Sequence, residues 1–164
     1  MTKSKLLACV SLATGLAVAG TAIQVSAQNL DVIKQRREAM RSITDQAFAT
    51  SKMFKGEAPF DLAGVQSGLK SIQNVGAKLK DLFPEDSKTG GGTDASAKIW
   101  TARADFNAAV DKWVADAKTA SAAITDEASF KTGYAPFSTS CGGCHKATDG
   151  FVHPIGELLK KPKP

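Results

Sequence analysis

Long apolar runs are scarce in this 164-residue sequence. Nothing after residue 27 approaches the roughly 20 apolar residues that a membrane-spanning helix needs. With 43% apolar and 23% charged residues, the composition fits one ordinary domain and excludes both a disordered chain and a multi-span membrane protein. Only three cysteines are present, so a zinc site built from two cysteine pairs is excluded. The basic residues are scattered rather than grouped with aromatics, which argues against nucleic-acid binding.

The beginning of the chain has the pattern of a secretory signal peptide. Two lysines open it, an apolar segment covers residues 6–19, and a small-x-small cleavage signal ends at Ala27. An uncleaved membrane anchor is the alternative, although the Gly, Ser, Thr and Gln content of the segment disfavours it. We predict that residues 1–27 are removed and that residues 28–164 form a single periplasmic domain.

Two of the three cysteines lie close together near the other end. Cys141 and Cys144 are separated by two glycines and followed directly by His145. In an oxidising compartment such a pair ordinarily predicts a disulfide. However, Cys-x-x-Cys-His is the attachment pattern for c-type haem, because two thiols at this spacing can form thioethers to the vinyl groups of one porphyrin while the histidine ligates the iron. A thioredoxin-like pair would need strands around it, and the sequence predicts none. We therefore predict one covalent haem c.

Four segments have the three- and four-residue spacing of apolar side chains that is typical of amphipathic helices. They predict helices at about residues 31–54, 61–83, 95–123 and 126–147. The apolar stripe of the first helix is predicted to contain Leu30, Ile33, Met40, Ile43, Ala47 and Phe54. Thr125 is the predicted cap of the last helix, in which both haem-motif thiols are expected to face inward.

The connections between these helices predict the topology. They are short, long and short, which favours an all-α, antiparallel up-down-up-down four-helix bundle with the cofactor between facing helices near one end. The long connection, residues 85–95, contains three consecutive glycines and is predicted to be flexible. Residues 151–164 read as a basic tail without assigned chemistry.

A lone Cys-x-x-Cys-His near the end of a four-helix chain resembles the class II c-type cytochromes, the cytochrome c' and cytochrome c-556 family. The segments at residues 36–40, 54–61 and 98–100 are also similar to that family, the last two to its low-spin c-556 branch. The resemblance implies that His145 is the proximal iron ligand and that Met40 lies on the opposite face of the iron. It further implies a contact between Arg36 or Arg37 and a haem propionate, with a solvated helix face as the alternative.

The residue at position 40 separates two functions. A methionine sulfur is a soft ligand that favours ferrous iron, so His145/Met40 coordination predicts a low-spin electron carrier. If Met40 is only a core side chain, the distal position is vacant and a high-spin protein that binds nitric oxide or carbon monoxide is predicted. Met53 is expected to be a core residue, and bis-histidine ligation through His153 is a lesser alternative. Trp100 and Trp113 are most simply core aromatics.

An enzyme is the least favoured function. A weak peroxidase would need an open site and a distal acid-base pair, and the one carboxylate near Met40, that of Glu38, is expected to point elsewhere on the helix. Loss of the signal lowers the net charge from +5 to +3, before the haem propionates are counted. Basic side chains around the haem edge are expected to steer an acidic redox protein. The resemblance leaves open whether the bundle pairs into a homodimer.

Overall fold

The computed structural model describes residues 29–145, which form five α-helices. They are α1 (Leu30–Lys55), α2 (Leu62–Leu79), α3 (Lys98–Thr101), α4 (Arg103–Ala123) and α5 (Glu127–Cys144). Four of these, α1, α2, α4 and α5, pack in a ring as the predicted all-α antiparallel bundle. The predicted signal peptide, the basic tail and His153 lie outside the described residues.

Side-chain caps determine where two of the helices begin. The Asn29 side chain accepts a hydrogen bond of 3.2 Å from the Val32 N–H at the start of α1. At the start of α5, Asp126 and Ser129 form a reciprocal capping box. Thr125 was predicted as this cap, but the helix begins one residue later and the Asp126 carboxylate accepts from the N–H of Ser129. Capping residues of this kind satisfy N–H groups that have no partner within the helix.

Two of the predicted helices are interrupted. The second ends at Leu79 and continues as a 3-10 turn, Lys80–Leu82. The third is divided at Ala102, whose backbone is not helical. Trp100 and Arg103, on either side of that break, both donate to carbonyl groups at the end of the second segment. Apolar periodicity cannot reveal these bonds because they join side chains to the main chain.

The buried face of α1 differs from the predicted stripe. Ile33 and Ile43 are buried as expected, but so are the polar residues Arg36 and Thr50. Three residues of the predicted stripe are instead exposed: Leu30, Ala47 and Phe54. The prediction followed apolar residues only, whereas the actual face accepts two polar side chains whose donors find partners inside the protein.

Helices α2 and α4 approach each other closely at Gly76. A Cβ atom at Gly76 would clash with Cγ2 of Val114. Around this contact the core contains buried aliphatic and aromatic side chains from both helices, including Val65, Leu69, Val110 and Trp113. The absence of a side chain at Gly76 therefore sets how closely the central pair of helices can pack.

The glycine-rich connection is packed against α1. Gly90, Gly91 and Gly92 all have positive φ angles, which only glycine adopts without strain. Arg37 Nη1 donates to the Gly91 carbonyl oxygen at 2.9 Å, and a Cβ at Gly91 would lie 3.1 Å from Cγ2 of Ile33. The predicted flexible loop is thus replaced by a turn that the first helix holds in place.

Candidate functional site

The haem-attachment motif occupies the last turn of α5. Cys141 and Cys144 are three residues apart on this helix, and both thiols are free and partly buried. Burial raises the pKa of both thiols. For Cys141 the nearby indole N–H of Trp113 partly offsets this rise in the pKa. Both sulfurs are therefore neutral thiols at pH 7, on one helix at the spacing that two thioether bonds need.

His145 is the residue at which α5 ends. Its backbone N–H donates to the Gly142 carbonyl oxygen at 3.2 Å, and its φ of −108° and ψ of 36° are not helical. The sequence predicted a helix to residue 147, whereas the observed helix stops at Cys144. The residue is partly buried and directly follows the second cysteine.

The glycines of the motif leave free space beside the helix. An ideal Cβ at Gly142 or Gly143 would have no other atom within 4 Å. A groove of about 270 Å³ runs between α4 and α5 next to this turn. Ala109 and Trp113 line it from α4, and Pro136, Gly143 and Cys144 line it from α5. The motif thus borders a groove whose walls are mainly apolar.

Aromatic contacts at the opposite end set the register between α1 and α5. The ring of Phe54 lies 6.0 Å from that of Phe130 and 5.2 Å from that of Tyr134. Met40 precedes Phe54 by 14 residues, and Cys144 follows Phe130 by the same number. Because antiparallel helices rise equally per residue, Met40 lies level with the last turn of α5 or just past it. Its partly buried side chain packs against the core.

Arg36 lies one turn before Met40. It is buried and hydrogen-bonded rather than located on a solvated helix face. Only 4% of it is exposed. Its Nη1 donates to the Leu82 carbonyl oxygen at 3.2 Å and to Ser87 Oγ at 2.8 Å, while Nη2 donates to the Ser87 carbonyl oxygen at 2.8 Å and to Thr93 Oγ1 at 2.6 Å. The guanidinium also lies 4.8 Å from the centre of the Phe83 ring. Burial lowers the pKa of Arg36.

These bonds join α1 to the connection between α2 and α3, and we call this set of contacts the arginine clasp: Arg36, Leu82, Ser87 and Thr93. The arginine clasp is not evident from the sequence, because its acceptors are carbonyl and hydroxyl oxygens, which carry no charge pattern. The indication of the clasp that the sequence offers is the serine and the threonine that lie close to the three glycines. A propionate contact would have to use the Arg36 Nε–H or replace one of the four bonds.

Met53, Trp100 and Trp113 are the remaining residues for which the sequence predicted a role. Met53 is partly buried at the other end of α1, close to Gly64, and is therefore remote from the motif. Trp100 Nε1 donates to the carbonyl oxygens of Phe83 and Pro84, at 3.1 Å each. Trp113 is buried beside the motif, and its Nε1 has no hydrogen-bond partner of good geometry.

The residues present suit a covalently bound haem. Two free thiols have the required spacing, and the second of them, Cys144, lines a groove whose walls are largely apolar. The buried Trp113, whose indole N–H has no partner, lines the same groove. Between residues 29 and 145, none of the helices is both long and apolar enough to cross a membrane.

Comparisons with known proteins agree with this geometry. The family model for cytochrome c' matches residues 31–147. The chain is 40% identical over 131 residues to cytochrome c' of Rhodopseudomonas palustris, covering 80% of this chain and 88% of the relative. It is 32% identical over 115 residues to cytochrome c-556 of Agrobacterium fabrum, covering 70% of this chain and 77% of the relative.

A solved structure of Rhodopseudomonas palustris cytochrome c' matches with a TM-score of 0.68 and 42% identity, covering 70% of this chain and 92% of the other. Members of this family are electron-transfer or gas-binding haem proteins rather than classical enzymes, and their cofactor is covalent c-type haem. The chain therefore belongs to the cytochrome c' family of class II c-type cytochromes.

Proposed function

We propose that this chain is a periplasmic one-electron carrier with a single haem c, attached through Cys141 and Cys144 and ligated by His145 and Met40. The observation that carries the proposal is the register of α1 against α5, which brings Met40 level with the end of the haem motif. Both axial ligands would then come from facing helices at the same end of the bundle.

Each residue of the proposed site has a separate task. Bound haem supplies a metal that changes oxidation state by one electron. Cys141 and Cys144 fasten it to α5, so it cannot dissociate. Met40 offers a thioether sulfur, which favours the reduced metal. Its side chain also blocks external molecules from binding on that side of the metal. A ligand set that is the same in both oxidation states leaves little to rearrange during electron transfer.

The arginine clasp supports this arrangement by holding α1 in place. It fixes the first turns of α1 to the connection between α2 and α3, one turn before Met40. In this proposal the main task of Arg36 is to hold the helix that carries Met40, and a propionate contact would be additional. Arg37 is engaged with Gly91 and does not take part.

The predicted signal peptide supports periplasmic export, and the net positive charge after its removal supports an acidic redox protein as partner. The rate of electron transfer to such a partner should fall as ionic strength rises, because salt screens the attraction between the two surfaces. A rate that is independent of salt would contradict electrostatic docking.

Spectroscopy of the purified protein tests the ligand set. We expect the oxidised protein to show a methionine-to-iron charge-transfer band and low-spin features. Met40→Ala should abolish the band, produce high-spin iron and allow carbon monoxide to bind. Met53→Ala is the matched control, since it removes a partly buried methionine from the same helix at the other end. A band that survives Met40→Ala would place the sulfur ligand elsewhere.

Gas binding by high-spin iron is the second candidate. The observation that favours it is the 40% identity to a protein named cytochrome c', together with the flexibility of methionine as a core residue. This candidate predicts that the unmodified protein lacks the charge-transfer band and binds carbon monoxide directly. The same two measurements therefore distinguish the candidates.

A further inference from the structure

Pro136 divides α5 into two halves that are stabilised differently. The first half, residues 127–135, begins at the capping box of Asp126 and Ser129. It also contains Phe130, which is fully buried and contacts three other aromatic rings. This half is therefore fixed both at its start and along its inner face.

The second half, residues 136–144, has a weak preference for the helix. Pro136 has no N–H to donate to the carbonyl oxygen of Thr132, one turn earlier. Two glycines and three serine or threonine residues follow, and none of the strong helix formers is present. Phe137 is the one buried residue of this half. Neither local propensity nor burial therefore favours the helix strongly here.

The hydroxyl side chains of the second half bond to the main chain of their own helix. Ser138 and Thr139 both donate to the Ala135 carbonyl oxygen, at 2.9 and 3.1 Å. Ser140 donates to the Phe137 carbonyl oxygen at 2.8 Å. Such bonds offer the backbone alternatives to the helical ladder and slightly destabilise it.

The groove between α4 and α5 runs along this half of the helix. The α5 residues that line it all belong to the second half: Pro136, Thr139, Ser140, Gly143 and Cys144. On the same half, a Cβ at Gly142 or Gly143 would meet no other atom within 4 Å. Packing against α4 is thus interrupted along the part of the helix that carries the two thiols.

We propose that residues 136–144 open as a unit before haem is attached, while the first half of α5 and the other helices stay folded, and that attachment completes the helix. This inference rests on attachment at Cys141 and Cys144, but not on Met40 as a ligand. Opening brings both partly buried thiols to the surface of a bundle that has already folded. Each thiol then adds its sulfur to one carbon of a haem vinyl group and its hydrogen to the other, which consumes no further reagent.

Attachment closes the segment because it restricts the open state. Two bonds to one rigid macrocycle cross-link Cys141 to Cys144, as a disulfide cross-links an unfolded chain. Ligation by His145 adds a third restraint immediately after the helix. The open segment thereby loses most of its conformational freedom, and the helix becomes the favoured state.

Hydrogen–deuterium exchange resolved by peptides tests the inference on the full chain, with attached haem and without it, the thiols being kept reduced. We expect the amides of residues 137–144 to be protected with haem. Without it they should exchange within about tenfold of the rate of an unstructured peptide, while residues 130–135 stay protected. Protection of the second half without haem, or equal loss in both halves, would overturn the inference.

Pro136→Ala restores an N–H that can donate to the Thr132 carbonyl. In the haem-free chain it should slow exchange of residues 137–144 by at least about tenfold. It should also slow thioether formation with added reduced haem, followed by the mass of the protein. Thr132→Ala improves helix propensity at an exposed position of the first half and should change neither rate, which makes it the matched control. Unchanged rates in Pro136→Ala, or equal changes in both variants, would overturn the inference.

The inference and the proposed function fail separately. The expected exchange difference in a protein without the methionine-to-iron band would support the inference and overturn Met40 ligation. A normal band in a protein whose second half is protected without haem would overturn the inference alone.

Discussion

The two ends of the bundle are held together by different forces. At the end where α1 stops and α5 begins, which we call the aromatic end, the Phe130 ring contacts those of Phe54, Phe60 and Tyr134. At the end where α5 stops, which we call the haem end, guanidinium and indole groups donate to main-chain carbonyls of the connection after α2. One end is closed by apolar packing, and the other by polar bonds around its edge.

This difference suits a protein that must enclose a large cofactor. Packing fills space completely, so a pocket at the aromatic end would cost core contacts. Hydrogen bonds between α1 and the connection after α2 instead secure the haem end from one side. The groove at Cys144 lies on the other side, between α4 and α5. Stability and binding are thus assigned to different parts of one small domain.

The largest effect is expected at the aromatic end. Phe130 is fully buried and contacts three other rings, so Phe130→Ala should lower the free energy of unfolding by about 3–5 kcal/mol. Chemical denaturation measures this loss. The absorption spectrum of the folded variant should be unchanged, because the haem motif is more than two turns away. Phe48→Ala, at a position that is 41% exposed, is the control and should cost far less. A spectral change in Phe130→Ala would show that the two ends are coupled.

At the haem end, Thr93→Val removes an acceptor of the buried guanidinium and keeps the shape of the side chain. Thr93 Oγ1 accepts from Arg36 at 2.6 Å and from the Ala95 N–H at 3.2 Å. We expect a loss of roughly 1.5–3 kcal/mol in the free energy of unfolding, the range for hydrogen bonds to charged groups. Thr101→Val, at the exposed end of α3, should change it by less than about 0.5 kcal/mol. Equal losses in the two variants would show that the arginine clasp does not stabilise the fold.

The contrast between the ends also explains what the sequence could predict. Apolar periodicity predicted four helices and the bundle, because burial of apolar faces is the force that forms them. It mistook Leu30, Ala47 and Phe54 for core residues, since it has no means of choosing between adjacent faces of a helix when polar residues such as Arg36 share the interior. The break at Ala102 and the ordered glycine turn depend on side chains bonded to distant carbonyls, which no local pattern encodes.

The site was predicted unevenly for the same reason. Cys-x-x-Cys-His carries its chemistry within five consecutive residues, so Cys141, Cys144 and His145 could be named directly. Met40 is more than 100 residues away and was named only through a family resemblance. The position of Trp113 beside Cys144 could not be foreseen, because it depends on how α4 is rotated against α5. Its only signal was the placement of Trp113 on the inner stripe of its helix.

A pH experiment probes the aromatic end, where the Tyr134 ring contacts those of Phe54 and Phe130. Burial raises the pKa of Tyr134 to about 12, from a usual value of 10.0. The raised pKa means that the folded protein prefers the neutral phenol. The unfolded chain therefore loses the proton first, and stability should fall as pH rises from 10 towards 12. Tyr134→Phe should lose less stability over that range when both proteins are unfolded chemically at each pH. Parallel curves would show that the phenol is hydrated in the folded state.

The smallest change is expected at a glycine of the motif itself. Alanine favours a helix over glycine by about 1 kcal/mol, and a Cβ at Gly142 would have no neighbour within 4 Å, so Gly142→Ala should raise the free energy of unfolding by up to that amount. The same substitution at Gly76 meets Val114 and should destabilise the protein, which makes it a suitable contrast. If Gly142→Ala instead loses haem or stability, the macrocycle must lie against that Cα atom. The motif glycines would then be required by the cofactor rather than merely tolerated, as Gly76 is required by α4.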